Sequence, residues 1–240
     1  MCAHLMLLGI NVDHIATIRQ IRKAQVPEPA FAAVIAEAAG ADSIVAHLRE
    51  DRRHINDRDV SILREVVKTR FNLEMSIAKD IVDIACSVKP DQATLVPEKR
   101  REVTTEGGLD VAAGFRRIKN TVKILEGAGI EVSLFIDPEK KQIDFARKTG
   151  AGIIELHTGR FADAKNQKQS DRCLAGLLAA ARYAGEMGLK VSAGHGLNYY
   201  NVSRVAGIRE IEELNIGYSI ICRAALVGIA AAVKEMKALI

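Results

Sequence analysis

The stretch GINVDHIATIR, residues 9–19, decides how the fold is read. It begins as an apolar strand and finishes on Asn11, Asp13 and His14. The Gly-rich turn G-x-G-x-x-G that opens a doubly wound dinucleotide-binding sheet does not follow it. Instead the same pattern, an apolar run closing in polar side chains, returns down the chain. The further strand candidates are DSIVAHL, FNLEMS, QATLVP, EVSLFI, GIIELH, LKVSAGH and LNIGYSII. Amphipathic runs separate them. PEPAFAAVIAEAAG has a Pro start and a Gly stop, and INDRDVSILREVVKT opens on an Asn or Asp cap. PEKKQIDFARKTG and CLAGLLAAARYAGEMG end in Gly. Eight strands alternating with eight helices imply βαβ units and a parallel sheet. In a chain of 240 residues they fit one (β/α)8 barrel domain spanning residues 1–240.

Composition narrows the function. Hydrophobic residues make up 48% and charged ones 27%, as in a soluble globular protein. The net charge of +4 is carried by interspersed signs, and aromatic residues are only 4% with no Trp. Neither a nucleic-acid footprint nor a base-stacking platform is expected. No apolar run reaches ~18 residues, so no membrane span is expected. Cys2, Cys86, Cys173 and Cys222 lie far apart. They read as reduced thiols in a cytoplasmic protein. The first residues, MCAHLMLLGI, lack the basic start of a signal peptide.

In a barrel the active site sits at the C-terminal ends of the strands. Those ends carry Asn11, Asp13 and His14; His47 and Arg49 with Arg52, Arg53 and His54 following; Glu74 and Ser76; Glu98 with Lys99, Arg100 and Arg101; Asp137; Glu155 and His157; and His195. Side chains two apart on a strand share a face. Asn11 with Asp13, His47 with Arg49, Glu74 with Ser76 and Glu155 with His157 are such pairs. Five of the six His residues fall at or just after strand ends. Burying so many polar groups is costly without partners or a ligand.

Each residue also has a plainer reading. Asp13 equally reads as a turn cap, and His14 and His157 as structural. Glu74, set in apolar FNLEMS, is a desolvated acid or base, or else one half of an ion pair. EKRR (98–101) reads mainly as a solvated charge run. No HxH or HExxH spacing marks a metal site, and no Lys occupies an inward strand position suited to a Schiff base. Gly196 and Gly217, in the turns after strands seven and eight, would let backbone N–H groups approach a phosphate.

The blocks LGINVDHIATIRQIR, GADSIVAHLREDRRHI, FNLEMS, LVPEKRREVTTEGGLDV, SLFIDP, IELHTGRFADA, AGHGLNYYNV and ELNIGYSIICRA resemble the signature blocks of the pyridoxine 5′-phosphate synthase family, from about residue 6 to about 237. The resemblance implies a (β/α)8 barrel that assembles as a homo-octamer. It implies condensation of 1-deoxy-D-xylulose 5-phosphate with 3-amino-2-oxopropyl phosphate to pyridoxine 5′-phosphate, phosphate and water, without metal or organic cofactor. His47 and Glu74 then match proton acceptors, His195 a proton donor and Glu155 a transition-state stabiliser. Asn11 and Arg22 match contacts to the amino ketone phosphate. Asp13, His14, Arg49, His54 and Thr104 match contacts to the deoxyxylulose phosphate. Gly196, Gly217 and Tyr218 match a phosphate site, although many members carry His where Tyr218 stands. Two alternatives stay open: another phosphosugar lyase or isomerase on the same barrel, and a non-catalytic barrel that binds phosphate esters. Leu5 and Met6 read as exposed, TTEGGLDV and FADAKNQKQ as mobile lids, and 157–172 as an extended loop.

Overall fold

The computed structural model describes residues 5–98 and 107–240. Eight parallel strands close into a barrel in chain order: β1 (Leu7–Asn11), β2 (Ser43–Leu48), β3 (Arg70–Met75), β4 (Gln92–Leu95), β5 (Glu131–Ile136), β6 (Ile153–His157), β7 (Lys190–Gly194) and β8 (Glu213–Ile216). Helices α1 (Asp13–Arg22), α2 (Pro29–Ala38), α3 (Asp57–Val66), α4 (Lys79–Val88), α5 (Val111–Gly127) and α6 (Lys140–Thr149) cover the first six strands. Then come α7 (Gly159–Ala162), α8 (Gln167–Glu186), α9 (Val202–Ala206), α10 (Tyr218–Val227) and α11 (Ile229–Lys237).

The described residues thus hold eleven helices where the sequence pattern gives eight. Pro29 sits in the first turn of α2, which forces a fresh start after α1. Gly228, at φ 83°, parts α10 from α11. The 157–172 tract is not an extended loop. It holds α7 and the start of α8, whose first turn is capped by Asn166 Oδ1 accepting from the Gln169 amide at 2.9 Å. Its polarity marks an exposed helix face rather than missing structure. FADAKNQKQ is accordingly part helix, while the start of TTEGGLDV lies outside the described residues. Strand eight stops at Ile216, so Tyr218 opens a helix. Leu5 is exposed, but Met6 is buried.

The strands alternate sharply. One face of each, with Leu8, Ile10, Ile44, Phe71, Leu73 and Leu134 among its members, packs against the helices and forms the core. The other face lines the barrel and is polar: Ser43, Asn72, Thr94, Ser133, Ser192 and Glu213 are all buried. Several of these groups bond to one another, while Ser133 Oγ and Asn72 Nδ2 are buried without a partner among the described residues. Ser43 Oγ donates to Glu213 Oε1 at 2.5 Å, Glu213 also pairs with Arg70, and Thr94 Oγ1 donates to Asn72 Oδ1 at 2.9 Å. Gly9 makes room for them. A Cβ there would stand 2.1 Å from Asn215 Oδ1 and 2.7 Å from Ser43 Oγ.

One buried ion pair ties the outer layer to the mouth. Asn56 caps α3 by accepting from the Asp59 amide, and Asp59 returns the bond to the Asn56 amide, closing a reciprocal box. The same Asp59 carboxylate takes both Nη atoms of Arg19 from α1, at 2.7 and 2.6 Å. Arg19 Nη2 also reaches the His54 carbonyl at 3.3 Å. The hydrogen bond to Asp59 raises the Arg19 pKa against the opposing effect of burial. Asp59→Ala would remove the reciprocal half of the box and leave the buried guanidinium only one carboxylate among the described residues, Glu28, at 3.7 Å. The expected loss of stability is about 3–5 kcal/mol, read from urea unfolding. A loss under about 1 kcal/mol would show that the pair is merely surface-like.

Candidate active site

Four strand ends converge on His47. Asn11 closes β1, and its Nδ2 donates to Asp13 Oδ2 at 3.0 Å and to Glu74 Oε2 at 3.4 Å. Its Oδ1 accepts from the Asp13 amide at 2.9 Å, which fixes the turn into α1. Asp13 Oδ1 in turn accepts from the His47 amide at 2.8 Å. The register of β2 on β3 sets His47 directly beside Glu74. The imidazole therefore lies between two carboxyl groups: Nε2 is 3.1 Å from Glu98 Oε1 and Nδ1 is 3.9 Å from Glu74 Oε2. Burial works to raise Glu98, but the His47 hydrogen bond and the Glu50 amide overcome it and hold this carboxyl below the ordinary range. Glu98, which the strand-end reading places at the mouth, is thus not part of a solvated charge run.

His54 stands beside this group, its ring centroid 6.0 Å from that of His47. Its pKa is lowered chiefly by burial; Asp13 opposes the shift, and His47 and Arg49 add to it. Arg49 is buried, with Nε 3.5 Å from Asp51 Oδ1. Atoms of Asp13, His47 and His54 that could ligate a cation lie within 4.8 Å of one another. The Ile55 amide donates to His54 Nδ1 at 2.9 Å, which leaves the neutral ring's proton on Nε2. The Asp13 oxygens accept from the His47 amide and from Asn11.

The opposite side of the mouth is built on β6, β7 and β8. Glu155 is buried, and its Oε2 accepts from Asn215 Nδ2 at 2.7 Å. Gly194 lets it lie there: a Cβ at that position would stand 2.3 Å from Glu155 Oε1. His157 Nδ1 is 3.0 Å from Asp137 Oδ1, and its ring packs edge-on against His195 with centroids 5.0 Å apart. His195 has φ 81°, a conformation costing a residue with a side chain on the order of 1–3 kcal/mol. Burial lowers its pKa, His157 adds to the effect, and Asp163 opposes it.

The two glutamates set the electrostatics. Glu74 is held well above the ordinary carboxyl range by desolvation, then by the negative charges of Glu155 and Asp13. Glu155 is pushed up to about 7 by burial, against the Asn215 hydrogen bond. A mouth with protonatable carboxyls and imidazoles on both sides can accept and return protons near neutral pH.

The remaining candidates divide. Gly217 backs onto Asn11, where a Cβ would come 2.9 Å from the Asn11 Cβ. Tyr218 is exposed, its ring edge-on to His14 at 5.3 Å. Gly196, at φ 77°, faces Ala162. Arg22 ends α1 exposed to solvent, and no described contact brings it to the mouth. Thr104 lies outside the described residues.

Comparison with known proteins gives a consistent set. The family model of the pyridoxal phosphate biosynthesis protein PdxJ matches residues 8–240. Pyridoxine 5′-phosphate synthase of Geotalea uraniireducens is 56% identical over 229 residues, covering 95% of this chain and 96% of its own. That of Photobacterium profundum is 54% identical over 232 residues, covering 97% and 96%. Among solved structures, 3-hexulose-6-phosphate synthase superposes with TM-score 0.62 at 19% identity, covering 98% of this chain and all of that one, 100%. A phosphoribosylanthranilate isomerase from Thermotoga maritima gives TM-score 0.63 at 14% identity, covering 98% and 97%. At such identities these two share the fold alone.

The raised Glu155 has a thermodynamic consequence. The folded protein binds this proton more tightly than the unfolded chain does. Its contribution is therefore intact below the ordinary carboxyl pKa and is lost as pH rises through about 7. Glu155→Gln is expected to match the parent protein near pH 4 and to exceed it by roughly 2–3 kcal/mol above about pH 8.5. Urea unfolding at both pH values checks this, and a difference that does not change with pH would contradict it.

Proposed function

The chain belongs to the PdxJ family of pyridoxal phosphate biosynthesis proteins, and from that membership we propose that it condenses 1-deoxy-D-xylulose 5-phosphate with 3-amino-2-oxopropyl phosphate into pyridoxine 5′-phosphate. The amine of one substrate adds to the ketone of the other and loses water to form an imine. Carbon-bound protons are then removed, phosphate and water are expelled, and carbonyl attack closes the ring. Every one of these steps moves a proton. None needs a metal or organic cofactor, because the amine arrives on a substrate.

The observation that carries this reading is Glu74, a carboxyl raised far above its usual range and seated beside His47 at the barrel mouth. A base that is too acidic cannot hold a carbon proton, and desolvation makes this one less acidic. In the proposed assignment His47 and Glu74 accept protons, His195 donates one to a leaving oxygen, and Glu155 steadies charge in the transition state. Asn11 contacts the amino ketone phosphate. Asp13, His14, Arg49 and His54 hold the deoxyxylulose phosphate, and the amides around Gly196, Gly217 and Tyr218 take a phosphate. Replacing His by Tyr218 keeps a backbone N–H there. Arg22 and Thr104 enter on resemblance alone.

The same reading includes assembly into a homo-octamer in the cytoplasm. Ile18, Ile21 and Phe31, exposed along α1 and α2, support an assembly, because apolar groups clustered in this way favour burial by a second copy. Among the described residues no helix is long and apolar enough to cross a membrane.

Incubation with both substrates is expected to yield pyridoxine 5′-phosphate and inorganic phosphate in step, followed by chromatography and a phosphate assay. Glu74→Gln is expected to lower kcat about 10²–10⁴-fold with KM little changed. A folded parent protein that makes no pyridoxine 5′-phosphate, or a Glu74→Gln variant at full rate, would refute the assignment.

A further inference from the structure

His195 is held in place by groups that the assignment above leaves idle. Among the described residues, four with side chains have positive φ: Lys23, Arg52, Lys89 and His195. Lys23 and Lys89 are left-handed caps at helix ends, a common place for that conformation. His195 lies at no helix end. A conformation of this kind persists only where the surroundings impose it.

Thr158 imposes it. This side chain is fully buried, and its Oγ1 lies 2.8 Å from the Gly194 carbonyl and 2.5 Å from the His195 carbonyl. The Thr158 amide donates to the Gly194 carbonyl as well, at 2.9 Å. One threonine thus pins the backbone on both sides of the bend. The His195 ring is pinned separately. It packs against His157 at 5.0 Å and against Phe135 at 6.5 Å, while Phe135 and His157 meet edge-on at 5.2 Å. Gly159 is what allows the two imidazoles to approach. A Cβ there would fall 2.5 Å from His157 Nε2 and 3.3 Å from His195 Cδ2. His157 is itself oriented by Asp137, and its buried Nε2 has no hydrogen-bond partner among the described residues.

We propose that Asp137, His157 and Thr158 are positioning residues for His195: Thr158 fixes its backbone, and the Asp137–His157 pair fixes its ring. The proposal rests on the reading of His195 as the proton donor. An electrostatic arm accompanies the geometry. The hydrogen bond to His157 holds the Asp137 carboxyl below its usual range, with the Gly108 amide and Arg160 assisting. Beside burial, the neighbouring His157 lowers the His195 pKa, so His195 surrenders its proton more readily. The titratable or charged groups facing His195 are His157 from β6 and Asp163 just beyond α7; Phe135 from β5 is neutral. Facing Asp137 are His157 and Arg160.

The test reads His195 directly, by NMR titration of protein carrying ¹⁵N-labelled histidine, beside the pH profile of kcat. In Asp137→Asn, His157 loses the hydrogen bond that orients it, and in His157→Gln, His195 loses the neighbour that lowers its pKa. The His195 titration and the basic limb of kcat are expected to move together in each, to higher pH in His157→Gln. Using two variants guards against one failing to fold. Thr158→Val is expected to lower kcat roughly ten- to hundredfold with both KM values unchanged, and Thr158→Ser to restore it. A His195 titration identical in the parent, Asp137→Asn and His157→Gln proteins would overturn the electrostatic arm. Full activity in Thr158→Val would overturn the backbone arm. Failure of the donor assignment shows differently, as a His195→Gln variant that keeps its rate while the NMR coupling persists.

Discussion

Glu155 enters the barrel mouth buried and Glu74 largely so, and the structure around them answers that desolvation. Each would be ordinary on the surface. Buried within electrostatic reach of one another, and of Asp13, they resist ionising together. The neighbours relieve the two unequally. Glu155 has an amide from Asn215, while Glu74 has Asn11 at a longer 3.4 Å and an imidazole at 3.9 Å. Both carboxyls are still held above the ordinary range. Their burial also explains why small residues stand where they do. Gly194 opens the volume that Glu155 fills, and Gly217 opens that behind Asn11. A methyl at either place would collide with the polar array itself.

The polar interior below the mouth follows from the same alternation. A parallel strand covered on both faces is usually apolar throughout. Here the inward faces carry Ser43, Asn72, Thr94, Ser133 and Glu213, so the helix-facing residues alone provide the core. The cost of burying these hydroxyls and amides is partly offset by bonds among them, Ser43 to Glu213 and Thr94 to Asn72. Stability therefore comes from the outer layer, and the interior is free to be shaped for chemistry. The Arg19–Asp59 pair joins the two levels, since it braces α1 against α3 and touches the His54 backbone.

The closed barrel was legible because period-2 strands and Gly-stopped helices recur in strict alternation, and because parity places Asn11, His47, Glu74, Glu155 and His157 inward. The extra helices were not. They depend on local breaks, Pro29 and Gly228, that split one amphipathic stretch into two. Polarity misled in 157–172, where it belongs to a capped helix face, whereas Glu98 of EKRR was visible as a strand end and turns inward to His47. Asp137 and His157 were visible singly as strand ends, but their pairing needs the twist that brings adjacent strand ends together. The left-handed backbone of His195 left no composition signal, since Gly flanks it on both sides.

GADSIVAHLR (40–49) and GAGIIELHTGR (150–160) share a spacing, Gly-Ala with a His seven residues after the Gly. Their two histidines, His47 and His157, lie inward on β2 and β6, half a barrel apart, and each is bound to a carboxylate that its neighbours keep below the usual range. Between them sit the two carboxyls that are raised. Low carboxylates hold the imidazoles and orient them; in the proposed assignment one high carboxyl, Glu74, takes protons and the other, Glu155, steadies charge. That division keeps the two sets of groups from quenching each other as simple ion pairs. Raising Glu98 or Asp137 to the level of Glu74 would remove the orienting charges, and lowering Glu74 to theirs would remove the base. The proposed sequence of condensation, elimination and ring closure needs both kinds at once, and it is the unequal solvation of chemically alike groups that supplies them.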